Sequence, residues 1–180
     1  MSVIPVVCVV SLLAVLGLWS VTTHSPGPSS LGAVYVALVS VPLTSIDVRH
    51  YRLPNILVLP GMVAAIVGVL LTHPSGADVA PLVFIPLLVL FSGLIGWHTM
   101  GLGMGDVKLT VVLALALTAE LIGSGRTDTL VLRLGVWSVL VVFIAALIGL
   151  GELIVSRQTC EDIALGPVLL SSFWCALAAP

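Results

Sequence analysis

Apolar residues run along this chain in seven long blocks, 3–21, 31–46, 53–72, 79–97, 107–123, 134–155 and 163–179, rich in Leu, Val and Ala. None alternates in the manner of a strand, so each block predicts a helix rather than a segment of a barrel. A helix needs about 20 apolar residues to cross a hydrocarbon core of roughly 30 Å. The expected fold is therefore all-α, a polytopic transmembrane helical bundle of about six to seven spans. Blocks 31–46, 107–123 and 163–179 are short. Each is either slightly re-entrant or thins the bilayer locally, and a six-span bundle with one block lying shallow is the alternative. The connectors 22–30, 48–52, 73–78, 98–105, 124–133 and 156–162 are too short for a soluble domain. Residues 1–180 thus read as one integral-membrane domain.

Composition strengthens this picture. Charged residues make up 8% of the chain and hydrophobic ones 59%, and the mean hydropathy is +1.29. A soluble domain carries about 25% charged residues, so the bilayer is this chain's solvent. The first block lacks the basic segment that opens a secretory signal and is expected to be a retained helix. Six Lys and Arg in all leave no footprint for nucleic acid. With the N-terminus inside, Arg49, Arg52, Lys108 and Arg157 lie in or beside cytosolic loops, and Arg126 and Arg133 on the other side. That is the orientation the positive-inside rule favours. Cys8, Cys160 and Cys175 form no C-x-x-C pair and read as small buried hydrophobes or inert thiols.

In so apolar a chain each acid needs a reason, because an ionisable group at the membrane is costly and a functional suspect by default. Asp47 and Asp106 are separated by two whole blocks, 53–72 and 79–97. They must emerge on the same membrane face. Asp106 follows Gly101, Gly103 and Gly105 and precedes the block beginning at Val107. It reads either as a helix N-cap or as a functional acid, since three alternating glycines exceed what a cap needs and allow close backbone approach. The loop lacks the Gly-Lys-Ser/Thr ending of a P-loop. Asp47 closes the second block, the wrong end for the helix dipole. It reads either as a solvated charge paired with Arg49 or Arg52, or as a functional acid at the end of a short, stiff loop. Arg52-Leu53-Pro54-Asn55 restarts the helix after that loop, with proline tolerated in the first turn.

The other acids read more plainly. Asp78 is expected to cap 79–97, Glu120 to snorkel outward, Asp128 to sit in an outer loop, and Glu161 and Asp162 to precede the last block. Glu152 is expected nearest the two aspartates. His24, His50, His73 and His98 show no metal-ligand spacing, and neither a metal nor an organic cofactor is expected. Two carboxyls on one face can share a proton and titrate as a unit. Such a pair supports peptide hydrolysis: the ionised member deprotonates a water while the protonated one hydrogen-bonds the scissile carbonyl.

The order Asp47-x-Arg49-x-x-Arg52-Leu53-Pro54-Asn55, then Gly103-Met104-Gly105-Asp106-Val107-Lys108-Leu109, resembles the signature of type IV prepilin peptidases. These are aspartic membrane proteases of the Gly-x-Gly-Asp class. Leu165-Gly166-Pro167-Val168-Leu169 is similar to that family's Gly-Pro-containing motif near the last helix. The resemblance implies that Asp47 and Asp106 are the catalytic pair. It also implies that Arg49, Arg52, Pro54, Asn55, Gly103, Gly105, Lys108, Gly166 and Pro167 support the substrate or the loops. It implies a multi-pass protein of the cell membrane with its site on the cytoplasmic side, and a prepilin-like membrane protein as substrate, cut between a short basic leader and an apolar helix. Presenilin-type proteases share Gly-x-Gly-Asp, but their first acid follows tyrosine; here Ile46 precedes Asp47. Longer members carry an insert with paired C-x-x-C motifs and also methylate the new N-terminus; without those cysteines, methyl transfer is not expected here. The rival readings are an ion- or proton-coupled membrane transporter and a non-catalytic membrane assembly factor. The particular pilin and the oligomeric state are left open.

Overall fold

A computed structural model describes residues 3–24, 27–51, 53–100, 103–156 and 164–178. Among these, seven α-helices follow the apolar blocks: α1 Val3–His24, α2 Leu31–His50, α3 Asn55–Thr72, α4 Gly76–Met100, α5 Met104–Gly123, α6 Leu130–Ser156 and α7 Gly166–Ala178. Single 3-10 turns, Pro28–Ser30 and Thr127–Thr129, lead into α2 and α6. The stretches Pro28–His50, Asn55–Thr72 and Asp78–Thr99 are long and apolar enough to cross a membrane, while Val6–Trp19 and Gly166–Ala178 are shorter apolar helices. At 13 residues, α7 is about 20 Å long, well short of the roughly 30 Å core.

Helix α5 is the axis of the bundle. Val107, Leu109 and every residue from Val112 to Leu121 are buried, because α2, α3, α4 and α7 all pack against it. Small residues make that approach possible: a Cβ on Gly32 of α2 would stand 2.9 Å from Ala65 of α3 and 3.1 Å from Ala116 of α5. Close backbone packing of this kind holds helices together where there is no water to drive association. Helix α7 lies against α1, α2, α5 and α6. Phe173 and Trp174 are fully buried on it, and the Trp174 indole N–H donates to Ser40 Oγ at 3.3 Å. By contrast, α4 turns Val83, Phe84, Leu88, Phe91 and Ile95 outward, an apolar exterior suited to lipid.

Several polar residues sit elsewhere than expected. Asp47 does not end its helix, because α2 continues one more turn to His50; polar residues marked the end of the apolar block, not of the hydrogen-bonded helix. Asp78 lies inside the first turn of α4 rather than at its cap, and its carboxylate accepts the Ser75 hydroxyl at 2.6 Å. Glu120 does not snorkel: it is 5% exposed, since the central helix has no outer face to offer it. Arg133 belongs to the first turn of α6, not to a loop, and is likewise buried. Cys8 and Cys175 are free and exposed rather than buried. Arg52, Gly101, Arg157, Cys160, Glu161 and Asp162, and the side chain of Glu152, lie outside the described residues.

Candidate active site

The last turn of α2 supplies Asp47 and the first turn of α5 supplies Asp106. Both line one cavity of about 270 Å³. The α2–α3 connection adds Tyr51 and Leu53 to its wall, the first residue of α3 adds Asn55, and the start of α5 adds Gly103, Met104, Gly105 and Lys108.

Asp47 is 3% exposed, so it is not a solvated surface charge. Its carboxylate Oδ2 accepts the Gly166 N–H at 2.8 Å. Gly166 opens α7, where amides lack intrahelical partners and the helix dipole is positive. A Cβ at Gly166 would stand 2.7 Å from Oδ2. Glycine is what lets the start of α7 come this near. Pro167 follows at the second helical position, where its missing N–H costs no intrahelical bond.

Asp106 is the third residue of α5, and Gly103 holds the N-cap position. The side chain reaches back to the Gly103 amide, the acidic half of a capping box. A Cβ on Gly103 would lie 2.8 Å from Asp106 Oδ2, so this glycine too is fixed by the approach of a carboxylate. The capping reading of Asp106 therefore holds in modified form, through the third residue rather than the first. The carboxyl, at the helix end ahead of the apolar run, is pushed up to about 6. Burial is the main cause and the charge of Asp47 the second, while the Gly103 hydrogen bond acts in the opposite direction.

Two further contacts seat the α2–α3 connection against α5. A Cβ on Gly105 would stand 2.9 Å from Leu53 Cβ, so glycine lets Leu53 lie flat on the helix start. Lys108 Nζ donates to Asn55 Oδ1 at 3.1 Å. Pro54 is the N-cap of α3, with φ −72° and ψ 125°, the extended geometry its ring favours. Arg49 is exposed in the last turn of α2 and is not among the residues that line the cavity. Tyr51 is the lining residue that no sequence pattern singled out. Among the described residues, no group of three or more His, Cys, Asp or Glu side chains could hold a metal ion.

A comparison with known protein families matches residues 33–154 to the type IV leader peptidase family. The matched stretch holds Asp47, Pro54-Asn55 and the Gly-x-Gly-Asp element, and stops short of Gly166. Neither the curated proteins nor the solved structures compared with the chain gave a match. With well over half its length matched, this chain belongs to the type IV leader peptidase family.

Proposed function

We propose that the chain is a multi-pass aspartic endopeptidase of the cell membrane that removes the short leader of type IV prepilin-like proteins at the cytoplasmic face. Asp47 and Asp106 are its catalytic pair, acting with a water within a single 1–180 peptidase domain. The observation that supports this most is two carboxyl groups from different helices sharing one cavity beside glycine backbone.

In this mechanism the pair carries one proton between its two carboxyls. Asp106, whose carboxyl is held near 6, keeps that proton. Asp47, tied to the Gly166 amide, is the carboxylate. A water between them gives a proton to Asp47 as its oxygen attacks the scissile carbonyl carbon, while Asp106 hydrogen-bonds the carbonyl oxygen and protonates it as charge develops there. The tetrahedral diol then collapses. Its C–N bond breaks, the leaving nitrogen takes the proton from Asp47, and Asp106 recovers its own. Arg49 and Lys108 stand at the same end of the bundle as the pair, the end that the positive-inside rule assigns to the cytoplasm. The reading is of peptidase activity alone, without methyl transfer, and the chemistry needs neither metal nor cofactor.

The test is co-expression with a prepilin-like substrate, read by the mobility shift that follows loss of the leader. Asp47→Asn and Asp106→Asn are each expected to leave the substrate full-length while the protein still accumulates in the membrane. Cleavage by either stable variant removes that residue from the pair.

A further inference from the structure

Helix α2 ends in an unusual way. Its closing residue, Tyr51, has φ 51° and ψ 35°, the left-handed region that glycine enters freely and other residues avoid. Helices often close with a left-handed residue, but that residue is usually glycine. His73 ends α3 with φ 47°, yet histidine tolerates this region several-fold better than most residues. The capping itself does not call for a tyrosine: the Tyr51 N–H donates to the Asp47 carbonyl at 2.8 Å, and a glycine amide would do the same. Packing does not call for one either, because the residue is 53% exposed. Tyr51 is nevertheless one of the residues that line the cavity shared by Asp47 and Asp106.

A strained residue whose side chain is needed neither for the cap nor for packing, and which borders this cavity, points to a role in the site. We propose that Tyr51 is a substrate-positioning residue. Its ring packs on the extended substrate backbone beside the scissile bond and holds that bond over the two aspartates. On the α5 side the lining includes the glycines Gly103 and Gly105, which bring little side-chain area of their own. With Leu53 and Met104, which line the same cavity, the ring supplies apolar contact for the chain being cut. An aromatic ring suits this task, with large contact area and few torsions to immobilise. The inference rests on the peptidase reading of the same cavity.

The experiment is steady-state cleavage of a purified prepilin-like substrate by the full-length protein, with thermal unfolding of each variant measured alongside. Tyr51→Gly removes the ring and relaxes the backbone, so its unfolding midpoint is expected to stay level or rise. Its KM is expected to rise about tenfold, the scale of one lost anchoring contact, with kcat little changed. Tyr51→Phe is expected to recover most of that loss. A Tyr51→Gly protein with wild-type KM overturns the proposal, as does an effect confined to kcat. So does a lowered midpoint or membrane yield with KM intact, which would make Tyr51 an aromatic anchor at the membrane surface. Asp47→Asn and Asp106→Asn separate this outcome from failure of the parent reading. If they are inactive and Tyr51→Gly keeps its KM, only the ring proposal falls; if they still cleave, the catalytic pair falls and takes the proposal with it.

Discussion

Helix α7 is tied at both ends to a nearly buried charged side chain, and the two ties differ in what surrounds them. At its start, the Gly166 amide meets Asp47. At its finish, Arg133 Nη1 donates to the carbonyls of Ala176 and Leu177, both at 3.3 Å. Each charge suits the dipole end that it faces, and each supplies a partner for backbone groups the helix leaves unbonded. Their exposures, 3% and 4%, do not separate them. What does is that Asp47 also borders a cavity in company with a second titratable acid, whereas Arg133 hydrogen-bonds two backbone carbonyls and has another base, Arg126, as its charged neighbour. Burial of a charge is therefore a weak sign of chemistry. Burial beside open space and another ionisable group is a far better one.

The largest expected effects test that contrast directly. Asp106→Asn is expected to lower kcat by a factor on the order of 10³ without lowering the unfolding midpoint, since it neutralises an acid that the fold holds at some cost. Arg133→Met is expected to do the opposite. It strands two buried carbonyls and costs on the order of 2 kcal/mol of stability, visible as a lower midpoint, while the protein that remains folded keeps its kcat. An Arg133→Met protein of wild-type stability that no longer cleaves would erase the distinction between the two ends.

That distinction is only half legible in the sequence. The helices follow from the apolar blocks, since in lipid each backbone polar group must be satisfied within its own segment. Helix parity alone requires Asp47 and Asp106 to share a face. The partners of the charges are hidden, because hydrogen bonds such as Asp47 to Gly166 join residues 119 positions apart. The Gly-Pro element is visible as a motif, but nothing local says that its amide meets an acid of the second helix. Glu120 misleads for a related reason: its place near the end of an apolar block resembles an exit to water, and only packing around α5 shows that no exit exists there. Tyr51 leaves no trace at all, as one tyrosine in a polar connector has no pattern around it.

Gly166→Ala comes next in size and probes only the end of α7 that meets Asp47. The new methyl would stand 2.7 Å from Asp47 Oδ2, so either the carboxylate or the helix start must shift. Misplacement of a reacting group by about 1 Å can cost on the order of 10²-fold, and a loss of that scale is expected in kcat. A Gly166→Ala protein with wild-type kcat would show that the amide contact does not set the position of Asp47.

A pH series offers a third, smaller effect. The Asp106 carboxyl is raised from 3.8 to about 6, so the singly protonated pair is lost as pH rises through about 6, and the cleavage rate is expected to fall there. The sign for stability is the same. An acid with a raised folded-state pKa favours the folded protein fully below 3.8, and that contribution is lost as pH rises through about 6. Because the charge of Asp47 is the second cause of the shift, Asp47→Asn should move the fall in thermal stability to lower pH without abolishing it. A fall that stays in place would mean that the two carboxyls do not sense each other.

The smallest effect is expected at Lys108, whose role is settled by comparing it with its partner. The hydrogen bond from Lys108 to Asn55 is exposed, and exposed contacts of this kind contribute about 1 kcal/mol or less. Lys108→Met should therefore change KM by no more than about fivefold. If Lys108 acts by pinning the connector that carries Tyr51, Asn55→Ala should reproduce the loss and the double variant should be no worse than either single one. If the lysine acts instead through its charge on the aspartates, Asn55→Ala should be mild, and Lys108→Met should displace the fall in cleavage rate near pH 6. A loop contact moves KM and leaves the pH profile alone; a charge contact moves the profile whether or not Asn55 is present.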